Sequence, residues 1–278
     1  MSDLRTVAEP APAKLNLALH VRHRRPDGYH ELETLFAFVE HGDRVRVATA
    51  ETDSFALTGP FAATLAGEGD NLVTRAAARF GAAFGGGPHA ITLDKHLPVA
   101  SGIGGGSADA AATLRALATL HDVAHDDPRL FAIADGLGSD VPACLLGRTA
   151  LGRGRGEQLA PVEGLAGTPV LLVNPGVAVS TAAVFRGWDG VDRGPIGTGD
   201  LLAVARAGRN DLEPPARALA PAIDSVLAAL AACPGALLAR MSGSGATCFA
   251  LFESAAARDA AAEGLSDTGW WCAATRLR

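Results

Sequence analysis

A glycine-rich segment in the first half of the chain has the composition of a phosphate-binding loop. Residues 102–107 read Gly-Ile-Gly-Gly-Gly-Ser, between an alternating segment at 91–94 and an alanine-rich segment at 108–120. Glycine exposes backbone N–H groups without a side chain to block an anion, and a helix that starts there adds its N-terminal partial charge. The segment predicts a strand, a loop that binds phosphate and a helix, with a flexible surface loop as the alternative.

The familiar nucleotide-binding loops do not match this segment. A Walker A loop needs a lysine directly after a glycine, and neither Lys14 nor Lys95 follows one. A Rossmann fingerprint needs a glycine where Ser107 stands. Lys14 and Lys95 are also the only lysines among 24 lysine and arginine residues. Because a compact ammonium group suits contact with a single oxygen, both are candidates for chemistry, with chance as the alternative.

Composition and charge limit the possible partners. The formal net charge of −6 argues against a nucleic-acid surface, which needs a basic patch. No apolar run approaches the roughly 20 residues of a membrane span, and no signal-peptide pattern is present. The four cysteines form no C-x-x-C pair, which favours reduced thiols. We expect a cytoplasmic protein with a small-molecule substrate and neither nucleic acid nor membrane as partner; the sequence leaves the oligomeric state open.

Hydrophobic periodicity predicts a mixture of strands and helices in both halves of the chain. Because no regular βαβ alternation is present, the pattern favours an α+β fold. Strands are predicted at 14–21, 31–39, 44–48, 91–94, 169–173, 237–241 and 247–252, helices at 71–84, 108–120 and 223–230, and a Gly- and Asp-rich loop at 187–199.

Several segments resemble a known family. LPVASGIGGGSADAAATL (97–114) resembles the second motif of the GHMP kinases, and PAKLNLALHVRHRRPDGYHELETLF (12–36) is similar to the opening of the 4-diphosphocytidyl-2-C-methyl-D-erythritol kinase family. GSDVPACLLGRTALGRGRGE, PGVAVSTAAVF, RNDLEPPA and MSGSGATCFALF continue the resemblance in the expected order, so that it spans roughly the whole chain.

The resemblance implies a two-domain GHMP kinase fold, with domains at 1–153 and 154–278 and the active site in the cleft between them. It also implies transfer of the γ-phosphoryl group of ATP to the 2-hydroxyl of the cytidyl substrate. In such a reaction, positioning and electrostatics dominate over covalent chemistry. ATP chemistry implies Mg²⁺ as well, although no carboxylate cluster in the sequence identifies its ligands.

The resemblance places the catalytic pair at Lys14 and Asp140. Asp140 can accept the proton of the substrate hydroxyl, and Lys14 can keep that carboxylate ionised and polarise the attacking oxygen. The alternatives are that Asp140 caps a helix and that Lys14 is an exposed strand residue.

The family also implies the binding residues. Adenine is expected near Asn71 and Lys95. The phosphates are expected over Pro98, Val99, Ala100, Ser101, Gly102, Ile103, Gly104, Gly105, Gly106, Ser107 and Ala108. Ala108 replaces a second serine of the family motif, which puts a role for that hydroxyl in doubt.

Substrate recognition is expected at Asn16, Tyr29, His30, Thr181, Phe185, Gly243 and Ser244. Tyr29 and Phe185 are expected to sandwich the cytosine, unless Phe185 is simply a core residue. The turn at 243–245 is expected to brace the phosphate loop, with a tight hairpin as the alternative. Arg22, Arg24 and Arg25 either attract the diphosphate or form a solvated basic loop.

Two rival functions remain open at this point. Another GHMP kinase, of the homoserine or mevalonate type, has no need for an aromatic base sandwich. A non-catalytic relative that senses a ligand has no need for Lys14 and Asp140.

Overall fold

The computed structural model describes residues 5–65 and 71–278. These residues form two compact units. The first unit contains residues 5–13 and the described parts of Gly42–Val99 and Gly104–Gly147. The second contains Lys14–His41, Ala100–Ile103 and Arg148–Arg278. Each unit thus gathers separate stretches of chain, and the domain boundary after residue 153 stays a prediction.

The secondary structure mixes strands and helices throughout. The strands are β1 (Thr6–Arg24), β2 (His30–Thr49), β3 (Ser54–Thr58), β4 (His89–Asp94), β5 (Ala150–Gly154), β6 (Gln158–Pro161), β7 (Pro169–Asn174), β8 (Ala236–Met241), β9 (Cys248–Phe252) and β10 (Trp271–Arg276). The helices are α1 (Leu72–Phe84), α2 (Gly105–Leu120), α3 (Pro128–Leu137), α4 (Val141–Leu146), α5 (Thr181–Arg186), α6 (Leu201–Ala207), α7 (Glu213–Leu219), α8 (Ala222–Ala231) and α9 (Ala255–Gly264). Short 3₁₀ turns lie at Ala62–Leu65 and Ser266–Thr268. The predicted α+β class is confirmed.

In the first unit, the end of β2 and the neighbouring strands support a layer of helices. β4 pairs antiparallel with residues 44–49 of β2 and parallel with β3. Helix α2 packs against both α1 and α4. Nearly every side chain of α2 from Ala108 onward is buried, which explains its alanine content, because small side chains allow helices to approach closely.

The second unit is built around antiparallel pairing. Residues 32–36 of β2 pair with β5, which pairs in turn with β6. A separate four-stranded sheet has the order β10-β7-β9-β8, and all of its neighbours are antiparallel. Its core joins Leu171 and Phe252 of the sheet to Val226 and Leu230 of α8.

One prediction about the strands was wrong. The separate strands at 31–39 and 44–48 are a single strand, β2, that passes through Gly42. A Cβ atom at Gly42 would lie 2.2 Å from the carbonyl oxygen of Ala11 in β1. The glycine therefore permits a close backbone approach and does not mark a turn.

No helix in residues 5–65 and 71–278 is both long and apolar enough to span a bilayer.

Candidate active site

The glycine segment forms a loop that leads directly into helix α2. Gly102 and Gly104 have φ angles of 78° and 66°, in the left-handed region that favours glycine. The helix begins at Gly105, and Ala108 N donates to Gly104 O over 2.8 Å. The first turn of α2 thus carries N–H groups with no partner inside the helix, which is the arrangement that binds anions. The predicted strand, loop and helix are confirmed.

Within the second unit, the start of the loop packs against the turn that follows β8. Ser242 Oγ donates to Gly102 O over 3.0 Å, and Thr247 N donates to Ser101 O over 3.0 Å. A Cβ atom at Gly102 would lie 2.6 Å from the carbonyl oxygens of Ser242 and Gly245. These contacts agree with the prediction that this turn supports the phosphate loop. Gly243 and Ser244 also lie in the connection between the antiparallel strands β8 and β9. The alternative prediction of a tight hairpin therefore describes the same turn.

Lys14 is a buried residue of β1, so the alternative of an exposed strand residue is wrong. Its Nζ donates to Asn16 Oδ1 over 2.8 Å and lies 5.4 Å from the centre of the Phe36 ring. Asn16 Nδ2 donates to Thr34 Oγ1 over 2.7 Å, and Thr34 Oγ1 donates to Ala18 O over 2.9 Å. This chain of hydrogen bonds fixes the orientation of the Asn16 amide and hence one contact of the ammonium group.

Asp140 immediately precedes α4 and occupies its N-cap position. Its side chain makes no capping hydrogen bond, so the interpretation as a helix-capping side chain is not supported. The backbone carbonyl of Asp140 accepts from Cys144 N over 3.0 Å and starts the helix, and the residue is half-buried. Lys14 belongs to the second unit and Asp140 to the first, so their catalytic pairing stays a prediction.

Both residues expected near adenine have structural contacts within the first unit. Asn71 is the N-cap of α1: its Oδ1 accepts from Val73 N and Thr74 N, and Thr74 Oγ1 accepts from Asn71 N. The Lys95 ammonium is buried against the carboxylates of Asp43 and Asp109. A direct contact of either polar group with adenine stays a prediction.

The aromatic residues expected at the base form a cluster in the second unit. The Phe185 ring stacks on His30 with centroids 5.0 Å apart, and Trp188 contacts the His30 ring edge-on at 5.7 Å. Burial lowers the pKa of His30, and the nearby charge of Arg24 adds to this effect. Sequence reasoning missed Trp188, although its position in the chain just after Phe185 was a usable signal.

Tyr29 lies apart from that stack. Its side chain is 50% exposed, and the Arg155 guanidinium lies 5.0 Å from the ring centre. One face of the ring thus carries a cation, an arrangement that restrains an exposed aromatic side chain. Phe185 is partly buried and packs against the core cluster, so the alternative of a core role stays open. The sandwich of cytosine between Tyr29 and Phe185 stays a prediction.

Two further predicted residues contact each other. Thr181 Oγ1 and Ser244 Oγ lie 2.9 Å apart, which links the start of α5 to the turn after β8. Asn16 N donates to Ser242 Oγ over 3.2 Å in the same turn. The structure therefore brings Asn16, Thr181 and the 242–244 turn together within the second unit.

The arginine-rich segment at the end of β1 contains several ion pairs. Arg22 pairs with Glu33 and Asp192, and Arg25 pairs with Asp27 and Glu31. Two of the three arginines are thus held by carboxylates, which favours the solvated-loop alternative for them.

The amino-acid sequence is similar to two family models and to several known proteins. Residues 71–148 match the GHMP kinases N terminal domain, and residues 196–269 match the GHMP kinases C terminal model. A 4-diphosphocytidyl-2-C-methyl-D-erythritol kinase from Rhizorhabdus wittichii is 57% identical, covering 97% of this chain and 94% of that protein. One from Sphingopyxis alaskensis is 51% identical, covering 98% and 99%.

The fold is also similar to those of solved kinase structures. A crystal structure of a 4-(cytidine 5'-diphospho)-2C-methyl-D-erythritol kinase superposes with a TM-score of 0.78 at 38% identity, covering 98% of this chain and 99% of that one. A homoserine kinase from Cytophaga hutchinsonii has a TM-score of 0.69 at 20% identity, covering 98% and 95%, and shares the fold. The chain therefore belongs to the 4-diphosphocytidyl-2-C-methyl-D-erythritol kinase family of the GHMP kinases.

Proposed function

We propose that the protein transfers the γ-phosphoryl group of ATP to the 2-hydroxyl of 4-diphosphocytidyl-2-C-methyl-D-erythritol, a step of non-mevalonate isoprenoid biosynthesis. The observation that carries this proposal is the 57% identity, over 97% of the chain, to a relative named for that activity. The glycine loop and the buried Lys14 support it, because a kinase needs a phosphate site and a fixed cation near the reacting oxygens.

In the proposed mechanism, Asp140 accepts the proton of the substrate hydroxyl as the hydroxyl oxygen attacks the γ-phosphorus. Lys14 stabilises the negative charge that develops on the attacking oxygen. Because the ammonium group is buried and already held by Asn16 Oδ1, it needs little reorganisation to act in the transition state. The N–H groups of the glycine loop and of the first turn of α2 hold the phosphates in line for attack.

The cytosine is proposed to bind at the aromatic residues of the second unit. Tyr29 offers an exposed ring face for stacking, and Phe185 is proposed to close the other side of the base. The lowered pKa of His30 keeps its ring neutral at pH 7, so it presents one donor and one acceptor to the polar edge of cytosine.

Mg²⁺ enters the proposal as the counter-ion of ATP. Residues 5–65 and 71–278 contain no group of three or more His, Cys, Asp or Glu side chains suited to a metal. We therefore propose that Mg²⁺ is held mostly by the phosphate oxygens of ATP and by water, which is the usual mode for this ion in kinases. When bound, the ion neutralises charge on the transferring phosphoryl group.

The cytoplasm is the compartment that we propose, because the four cysteines are free thiols.

A panel of phosphoryl acceptors tests this proposal. Purified protein with ATP is offered the cytidyl substrate, methylerythritol 4-phosphate, homoserine and mevalonate, and ADP release is followed. We expect turnover with the cytidyl substrate alone. Faster turnover with homoserine or mevalonate would support the rival GHMP kinases; the homoserine kinase structure shares only the fold with this chain. Binding of the cytidyl substrate without any turnover would support the rival function of a non-catalytic relative that senses a ligand.

A further inference from the structure

A buried ionic cluster lies next to the phosphate loop in the first unit. It consists of Lys95 and the carboxylates of Asp43 and Asp109, whose side chains are each 3% exposed or less. Lys95 Nζ donates to Asp43 Oδ2 and, over 2.8 Å, to Asp109 Oδ2. A Cβ atom built on Gly105 would lie 3.1 Å from Lys95 Nζ and 3.8 Å from Asp43 Oδ2. The cluster therefore supports the first residue of helix α2.

Asp43 holds the stretch of chain that leads into the loop. Its Oδ1 accepts from His96 N over 2.5 Å and from Leu97 N over 2.8 Å, while its Oδ2 binds Lys95. One carboxylate thus fixes two backbone N–H groups directly before Pro98. Because Asp43 lies on β2, these bonds tie the entrance of the loop to a strand.

Asp109 binds the same ammonium group from helix α2, which follows the loop. It lies in α2, one turn after Gly105, and its Oδ2 accepts from the same ammonium group. Its Oδ1 is buried and has no hydrogen-bond partner among the described residues. Burial raises the pKa of Asp109 to about 8, and the charge of Asp43 adds to the shift while that of Lys95 opposes it. The ammonium group of Lys95 thus contacts both β2, through Asp43, and helix α2, through Asp109.

We propose that Asp43 and Asp109 are positioning residues for ATP, which act through Lys95 to fix the spacing between residues 95–97 and the first turn of α2. That spacing sets how the N–H groups of the loop converge on the phosphates. The inference rests on the proposed use of this loop for ATP. A compact ammonium group suits the confined position beside Gly105, where a built Cβ atom would lie 3.1 Å from Lys95 Nζ.

Binding of two nucleotides to matched variants tests the inference. Asp109→Leu keeps the side-chain size but removes the acceptor, so α2 loses its tie to Lys95. We expect the Kd of ADP, measured by calorimetry, to rise about tenfold, the usual loss for one charge-assisted hydrogen bond. The Kd of adenosine, which lacks phosphates, should rise clearly less than that of ADP, because only phosphates bind the N–H groups of the loop. Asp109→Asn keeps an acceptor for Lys95 and should restore ADP binding to within about threefold of the wild type.

A second variant separates positioning from folding. Asp43→Asn retains an oxygen for the two N–H groups of residues 96 and 97 but presents an NH₂ group to Lys95, so it breaks only the ionic contact. We expect it to weaken ADP binding clearly more than adenosine binding. Asp126→Asn, an exposed carboxylate of the same unit, is the control.

The inference is overturned if Asp109→Leu and Asp43→Asn bind ADP as the wild type does, or if they lose ADP and adenosine affinity equally. All of these measurements omit the phosphoryl acceptor. A wrong choice of acceptor would therefore leave them unchanged, and the two proposals can fail separately.

Discussion

The two lysines of the chain occupy contrasting environments. Lys14 is buried beside the neutral amide of Asn16 and the ring of Phe36, whereas Lys95 is buried between two carboxylates. An ammonium group buried between two carboxylates has little attraction left for a ligand. The sequence could single out both lysines, but only the structure shows that Lys95 is held by two carboxylates, while the catalytic role of Lys14 stays a prediction.

Asp140→Asn tests the proposed general base. The change keeps the shape of the side chain but removes the group that accepts the proton, so kcat should fall by about 100-fold or more. Affinity for ATP should persist, because its phosphates are proposed to bind at the glycine loop and not at Asp140. Steady-state kinetics and calorimetry measure the two effects, with Asp126→Asn as the control. Turnover close to that of the wild type would remove Asp140 from the mechanism.

Tyr29→Ala tests base stacking. Loss of the ring should cost about 1–3 kcal/mol of substrate binding, or roughly tenfold to a hundredfold in KM. Tyr29→Phe should have a mild effect, because stacking needs the ring and not the hydroxyl group. The KM of ATP should change little in both variants. Normal binding of the cytidyl substrate by Tyr29→Ala would contradict the sandwich.

At the scale of elements, the sequence predicted those whose patterns are local. The helix at 71–84 and the strand at 169–173 appear as α1 and β7 with almost the expected bounds. Both have strong local periodicity, and α1 also has the Asn71 cap. Local patterns were sufficient there because burial follows directly from the residue types.

Elements that depend on distant pairing could not be predicted in this way. β5 reads Ala-Leu-Gly-Arg-Gly, which has weak strand propensity, and it forms because residues 32–36 of β2 pair with it. Helix α2 begins at Gly105 and not at 108, because glycines disfavour helix locally while the cluster around Lys95 supports that turn. The contacts of Trp188 and Arg155 likewise depend on chain segments far apart in sequence.

Gly105→Val tests the first turn of α2. A Cβ atom there would lie 3.1 Å from Lys95 Nζ, and the branched side chain adds bulk at the phosphate site. We expect the Kd of ATP to rise at least about tenfold, while the Kd of the cytidyl substrate stays within about twofold. Gly81→Ala, in α1, has no atom within 4 Å of the added Cβ and serves as the control. An unchanged ATP affinity would mean that the phosphates bind elsewhere.

At the scale of the whole molecule, a buried histidine links stability to pH. His20 Nδ1 lies 3.0 Å from Gly194 O, and Arg209 N donates to His20 Nε2 over 3.2 Å. The ring therefore donates through Nδ1 and accepts through Nε2, which only the neutral form can do. Burial lowers the pKa of His20 below its ordinary value of 6.5, and the charge of Arg209 adds to this.

Stability should consequently fall as the pH drops below 6.5. Above that value both states are neutral at His20, whereas below it the unfolded state binds a proton that the folded state excludes. The slope from this residue is at most about 1.4 kcal/mol per pH unit. Urea unfolding between pH 5 and pH 7.5 measures it, with His20→Gln as the comparison. An equal slope in the two proteins would show that His20 makes no contribution.

The protein is proposed to phosphorylate one hydroxyl of a cytidyl substrate, and identification of the product shows whether it does. The wild-type protein is incubated with ATP and 4-diphosphocytidyl-2-C-methyl-D-erythritol, and the product is analysed by ³¹P NMR and mass spectrometry. The account predicts a single added phosphate on the 2-hydroxyl, formed together with one ADP. A phosphate on any other hydroxyl, or ADP formed without a phosphorylated cytidyl product, would contradict it.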